Sequence, residues 1–134
     1  MVTYRLDCVG VTTAHLEGFF DGWPKAPTAA SLLRVLVNST LTVVAWDDDS
    51  VVGFVNVLSD GELAAYIPLL EVRRDYRLLG IGSELVRRVI EHFSDVYMID
   101  AVCDDDVVPF YEQLGLSLLN GMARRNRDAG ILHS

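Results

Sequence analysis

Cysteine, histidine and positive charge are all scarce in this sequence, and each scarcity excludes a class of function. Cys8 and Cys103 are the only cysteines in 134 residues, far apart and outside any metal-type spacing. Reduced, buried thiols are therefore expected rather than a disulfide. His15, His92 and His133 are equally scattered, so no metal site is expected. Eleven basic residues against nineteen acidic ones leave a formal net charge of −8. That balance argues against a nucleic-acid partner, because neutralising phosphates needs a basic surface. Long apolar runs are missing too, and the N-terminus MVTYRLDCVG has no basic region leading into an apolar stretch and cleavage site. The expectation is a soluble, cytoplasmic protein with no membrane partner.

What is present is enough for a core. With 51% apolar residues, the chain reads as one globular domain over residues 1–134, with about 126–134 as a tail. Neither an internal repeat nor a low-complexity segment interrupts it. The acidic runs Asp47 to Asp49 and Asp104 to Asp106 read as solvated loops, the first as a turn between two strand-like segments.

The periodicities order the elements. Thr3 to Cys8 predicts a short strand, and Thr13 a cap for a helix over Ala14 to Phe20. Thr28 caps a second helix to about Asn38, with Leu32, Leu33, Leu36 and Val37 at helical spacing. LTVVAW, VVGFVNVL and ELAAYIPLLEV predict an antiparallel meander, its second turn carrying the Asp60-Gly61 pair that favours tight hairpins. Leu85, Val86, Val89, Ile90 and Phe93 then form one apolar helix stripe. VYMIDAV reads as a buried strand, Val107 to Leu114 as a short helix ended by Gly115, and the stretch around LSLLNGMARR as a closing strand. The fold class is mixed α/β, because the helix after Val72 can return the chain to a parallel neighbour and the meander cannot.

Two irregularities inside this order carry chemistry. Gly80-Ile81-Gly82 opens a helix, where unpaired N–H groups and partial positive charge favour an anion, and Arg73, Arg74 and Arg77 lie just upstream. A phosphate or pyrophosphate is the simplest ligand, and a tight turn with solvated arginines is the plain alternative. A dinucleotide fingerprint lacks its third glycine, since Leu85 stands there, and no Gly-Lys-Ser/Thr follows to make a P-loop. Pro68 is the second irregularity. A proline inside a strand removes a ladder donor, so it marks either an edge or a place where pairing is interrupted and an extended ligand can enter.

These residues resemble a known family. Val72 followed by Arg77-Leu78-Leu79-Gly80-Ile81-Gly82 and the helix SELVRRVIEHF is similar to the acetyl-CoA-binding motif of the GNAT N-acetyltransferases. PFYEQLGL, residues 109 to 116, resembles that superfamily's FYE-x-x-GF element. The resemblance implies a largely antiparallel central sheet splayed between strands 4 and 5 and flanked by helices. It implies acetyl-CoA as acyl donor, with no metal. Its pantetheine would lie along Leu70 to Val72, the Val72 N–H polarising the acetyl carbonyl. Its pyrophosphate would lie on the turn Arg77, Leu78, Leu79, Gly80, Ile81, Gly82 and Ser83. Tyr111 falls at the family's common tyrosine, which meets the CoA sulfur. Tyr111 also belongs to the apolar face of its helix, so packing is its other reading.

Departures are visible as well. Leu78 and Leu79 stand where many members carry glycine and a basic residue, and Asp104 stands where asparagine is frequent, which puts phosphate and pantetheine contacts there in doubt. For the general base the sequence offers Glu71, with Tyr66, Asp100 and a water-relayed Glu62 beside it. The acceptor implied is a small-molecule amine or a protein amino group, and a homodimer is an open arrangement. A catalytically weak acyl-CoA-binding sensor or partner-binding domain is the alternative of a different class.

Overall fold

The computed structural model describes residues 1–20 and 22–126. A five-stranded sheet runs in the order β1 to β5: β1 (Val2–Arg5), β2 (Leu41–Asp47), β3 (Ser50–Ser59), β4 (Ala64–Val72) and β5 (Met98–Ala101). The first four strands pair antiparallel in sequence and β5 joins β4 in parallel, so the fold class is the mixed α/β sheet expected. Four helices accompany it among the described residues: α1 (Thr13–Leu16), α2 (Ala29–Val37), α3 (Ile81–His92) and α4 (Val108–Gln113).

Strands β2 and β3 read as almost unbroken apolar runs because both faces of the sheet are covered. On one face Val43, Val55, Val57 and Ile67 pack with Ile81, Leu85 and Val89 of α3. On the other, Val44, Trp46 and Phe54 pack with Leu16, Phe19, Leu32 and Leu36. Gly53 lets α3 come this close. A Cβ there would stand 3.1 Å from the Glu71 carbonyl oxygen and 3.4 Å from both Ile81 and Leu85. The absence of a side chain on β3 thus sets the start of α3 against the end of β4.

Several boundaries differ from those the sequence suggests. β1 stops at Arg5 rather than Cys8. The α1 N-cap is Thr12, in a reciprocal box with His15, and the helix ends at Leu16 because Glu17 is extended and Gly18 takes φ +84°. The Asp60-Gly61 pair does not make a tight hairpin. It belongs to a wider loop in which the Asp60 carboxylate accepts the N–H groups of Glu62, Leu63 and Ala64 at 2.8 to 3.2 Å. β5 is a four-residue, half-exposed strand at the end of the sheet rather than a buried interior one.

The largest correction concerns the closing strand. Residues 116–126 form no strand, and Leu118 and Leu119 are exposed. Strand composition alone cannot make a strand without a partner edge to hydrogen-bond, and the stretch finds none among the described residues. The expected tail lies, from residue 127, outside the described residues.

Candidate functional site at the parting of two strands

The site begins where β4 loses a neighbour. The β4–β5 ladder runs from Ala64↔Met98 to Ile67↔Ala101 and goes no further; the next residue is Pro68, which has no N–H to give. On its other side β4 stays paired with β3, but with a bulge between Asn56 and Leu58. Bulges turn a strand and shift which face its side chains take. Here Ala65 and Ile67 lie in the α3-side core, whereas beyond the bulge it is Leu70 and Val72 that face α3 and Leu69 that joins the opposite core.

The bulge is secured by Asn56, only 1% exposed. Its Oδ1 accepts the Leu69 N–H at 3.0 Å and its Nδ2 donates to Ser39 Oγ at 3.0 Å. With the Arg73 N–H donated to the Val52 carbonyl at 2.8 Å, alternate residues of β4 direct their backbone groups toward β3. The backbone groups of the residues between, Leu70 and Val72, are thereby directed to the side on which β5 has parted. Arg77 Nε donates to the Val72 carbonyl at 3.0 Å, leaving the amides of both residues on the open side.

The turn into α3 adds a second set of donors. Gly80 caps the helix at φ +84° with no side-chain cap bond, and the first bond back to it comes from Glu84 N–H at 3.0 Å. The N–H groups of Ile81, Gly82 and Ser83 thus precede the helical ladder, as an anion cradle requires. The Ile81 side chain is buried in the core, so its contribution here is its amide. A Cβ on Gly82 would lie 3.5 Å from the Phe110 ring and 3.8 Å from Val72 Cγ2, which places this turn, β4 and α4 against one another. Leu78 takes φ +66° with its side chain fully exposed, and Leu79 is exposed beside it.

Of the upstream arginines, Arg73 is committed elsewhere. Its Nε, Nη1 and Nη2 donate to the carbonyls of Val51 (2.8 Å), Glu17 (2.9 Å) and His15 (2.8 Å), and its guanidinium lies over the Phe19 ring at 4.1 Å. It ties the end of α1 to the sheet rather than presenting a phosphate ligand. Arg74 opens a 3₁₀ turn, Arg74–Tyr76, that the sequence did not signal.

Glu71 lines a pocket of about 170 Å³ with Gly18, Phe19, Phe20, Tyr76 and Arg77. Burial pushes its carboxyl above the ordinary range, against the downward pull of the Arg77 charge and a backbone hydrogen bond from Phe20. Phe20 itself holds φ +64°, an uncommon conformation for an aromatic residue. A half-buried carboxylate at the wall of a small pocket that also carries Arg73, Arg74 and Asp75 is suited to taking a proton.

Residues 9–116 match the family model of the GNAT acetyltransferases. The chain belongs to that family. It is 53% identical to a Deinococcus radiodurans R1 protein described as a candidate acetyltransferase, whose crystal structure superposes with a TM-score of 0.91 over 97% of this chain and 93% of that one. A GNAT-family acetyltransferase from Streptococcus pneumoniae TIGR4 is 26% identical, with a TM-score of 0.74 over 95% and 99% of the two chains. Among curated sequences, the uncharacterized N-acetyltransferase ycf52 of Porphyra purpurea is 25% identical over 84% of this chain and 68% of its own length.

Within this GNAT fold Tyr111 is 9% exposed on α4. It borders a groove with Tyr66, Cys103 and β5, close to the last rung between β4 and β5. Burial, with Cys103 and Tyr66 adding to it, pushes its phenol up to about 12. Glu71 and Tyr111 therefore line separate cavities. Of the other candidate bases, Tyr66 sits opposite Asp100 in the β4–β5 ladder, and Glu62 lies in the loop that Asp60 organises. Asp104 caps the short 3₁₀ turn Asp105–Val107 that leads into α4.

Asn56 and Gly53 were not singled out by sequence. The signal for Asn56 was a lone amide inside VVGFVNVL, a polar group that burial obliges to find partners. Among the described residues no three His, Cys, Asp or Glu side chains gather as a metal site, and no helix is long and apolar enough to cross a membrane.

Proposed function

We propose that this GNAT protein transfers the acetyl group of acetyl-CoA to a primary amine, borne by a small molecule or by a protein. The observation that carries this reading is the parting of β4 from β5 at Pro68, which opens the Leu70 and Val72 amides beside the start of α3, where Gly80 brings no side chain to cap the free N–H groups. A long ligand with an amide-bearing arm and a diphosphate matches that combination of a free strand edge and an anion cradle.

The chain's residues divide the work as follows. Leu70 and Val72 hold the pantetheine arm by their backbone, and the Val72 N–H polarises the acetyl carbonyl. The amides of Gly80, Ile81, Gly82 and Ser83 hold the diphosphate, with Arg77 nearby and with Leu78 and Leu79 contributing backbone alone. Bound acetyl-CoA supplies the thioester whose carbon–sulfur bond breaks as the carbon–nitrogen bond forms. Glu71, directly or through a water, takes the proton that the amine must lose. Tyr111 faces the sulfur. With its phenol raised to about 12, far above the roughly 8.5 of a cysteine-like thiol, it stabilises the departing thiolate by donating a hydrogen bond rather than by surrendering its proton.

A weak or silent acyl-CoA-binding domain is the second reading, favoured by the exposed Leu78 and Leu79 where a cationic side chain would strengthen phosphate binding. Two measurements separate them. Thermal-shift titration with CoA and acetyl-CoA reads binding, since a ligand of the folded state raises its stability. Thiol release from acetyl-CoA across a panel of amines reads turnover. Stabilisation with amine-dependent release is the expected result. Stabilisation without release selects the second reading, and neither effect overturns both.

A further inference from the structure

The small pocket at the end of β4 sets a condition on the amine that enters it. Arg73, Arg74 and Arg77 line it with the carboxylates of Glu71 and Asp75, in a chain where nineteen acidic residues outnumber eleven basic ones. The local balance is the reverse of the overall one, and burial, by favouring the neutral form of Glu71, widens it. A ligand whose only charge is an ammonium meets repulsion from such a wall. An amine that also carries an anion enters without net charge and can pair that anion with a guanidinium. It also loses its proton more readily there, because nearby positive charge lowers the pKa of an ammonium and only the neutral nitrogen attacks.

The arginines divide into one that builds the pocket and one that can receive the anion. Arg73 spends its donors on the carbonyls of Val51, Glu17 and His15, and a Cβ on Gly18 would come within 3.3 Å of its Nη1. The wall is therefore preformed, as small-molecule sites usually are. Arg77 is fixed through Nε, which donates to the Val72 carbonyl at 3.0 Å, while its Nη1 and Nη2 hydrogen-bond to none of the described residues. Its charge acts on Glu71, so the free donors and the base share one pocket. A planar guanidinium edge matches a carboxylate. A volume of about 170 Å³ lies below the roughly 300–1,000 Å³ of sites for drug-sized ligands. Val72 lines the same pocket, which therefore adjoins the strand position whose amide is assigned to the acetyl carbonyl.

We propose that the acceptor is a small amine that carries a carboxylate, an amino acid in the simplest case, with its amine toward Glu71 and its carboxylate on Arg77. This rests on the acetyl-transfer reading and narrows it. The amine nitrogen bonds the acetyl carbon, the carbon–sulfur bond breaks to release the CoA thiolate, and the amine proton passes to Glu71; the product is the N-acetylated amino acid.

The test compares thiol release from acetyl-CoA with a set of amino acids, each beside its own primary amide and a short peptide beginning with the same residue, at equal concentrations of neutral amine. For the best amino acid, kcat/KM is expected to exceed that of its amide by about tenfold or more, the worth of a hydrogen-bonded charge pair. An amide that reacts as well overturns the proposal, and so does a faster peptide, which would assign the acceptor to a protein N-terminus. Arg77→Gln should bring the acid-to-amide ratio close to one. Because both amines are read on the same variant with the same acetyl-CoA, a weaker hold on the diphosphate cancels from that ratio. An unchanged ratio overturns the role of Arg77. Should that variant fail to fold, Arg77→Lys keeps the charge but not the planar fork and is expected to reduce the ratio; no reduction has the same meaning. Calorimetric titration of each amino acid and its amide into protein saturated with CoA reads the pocket without turnover. If no amine releases thiol, the transfer reading fails and this titration still decides: carboxylate-dependent binding that the Arg77 variant loses upholds the site, and equal or absent binding overturns it.

Discussion

Asn56 Oδ1 accepts the backbone N–H of Leu69 at 3.0 Å, a bond made at the β4 bulge from which the candidate cleft opens. In a regular ladder the main-chain carbonyl of the facing residue would take that N–H. The side chain has replaced it, letting β4 carry an extra residue at Pro68 without leaving a buried donor unpaired.

Asn56→Ala is accordingly expected to cost about 2–4 kcal/mol, the sum of an unpaired buried N–H and a small cavity. Denaturant melts measure the loss. CoA affinity should weaken beyond what a destabilised fold explains, because the bulge sets the direction of the Leu70 and Val72 amides. A melt within about 0.5 kcal/mol of wild type would mean that Leu69 finds another partner.

Leu78→Gly should move stability the other way. Leu78 holds φ +66° with its side chain fully in solvent, so glycine relieves a left-handed conformation without giving up burial. Glycine's greater freedom in the unfolded chain offsets part of the gain, leaving roughly 0.5–1 kcal/mol. A rise of a few degrees in Tm is the expected reading, and a fall would place the leucine in a contact beyond those described.

How much of this was legible beforehand depended on how local the cause was. The meander and α3 followed from periodicity, since each strand and the Leu85 to Phe93 stripe carry their own pattern. The interruption at Pro68 was also readable, because a missing N–H is a property of one residue. Asn56 was not, since its role exists only once β3 and β4 are in register. Arg73 was misjudged for the same reason: the carbonyls of His15 and Glu17 that absorb it lie more than fifty residues away. LSLLNGMARR was read as a strand because composition reports what a segment can do, while pairing depends on an edge elsewhere. Motif order pointed to GNAT membership because Arg77 to Gly82 and PFYEQLGL keep their separation; the roles of individual site residues rest on geometry that spacing cannot supply.

Tyr111→Phe should separate hydrogen bonding from packing. The ring remains in its buried site, so the melt should change by less than about 1 kcal/mol, while loss of a hydrogen bond to a departing thiolate removes about 1.5–3 kcal/mol of assistance. A drop in kcat of about ten- to a hundredfold follows, with little change in acetyl-CoA affinity. A phenol raised to about 12 also predicts that the activity of wild type shows no decline from Tyr111 ionisation below about pH 10. Equal kcat for both proteins would remove Tyr111 from the chemistry.

Glu71→Gln tests the base through two readouts with opposite signs. Burial raises the Glu71 carboxyl in the folded protein, so the native state holds its proton more tightly than the unfolded chain, whose carboxyl titrates near 4.3. The group's contribution to stability is fully present below that unfolded value and is lost as pH rises through the folded one. Glutamine keeps an oxygen for the Phe20 backbone hydrogen bond and never ionises, so its advantage over wild type should be near zero at acid pH and grow toward neutrality. Activity should move oppositely. The wild-type rate rises as Glu71 loses its proton, and the glutamine variant loses both that limb and about 10²- to 10⁴-fold in kcat. Melting curves and rate profiles across pH 4 to 8 decide the matter. A variant stabilised at neutral pH yet fully active would leave Glu71 as a buried charge at the pocket wall, with the proton passing to another acceptor.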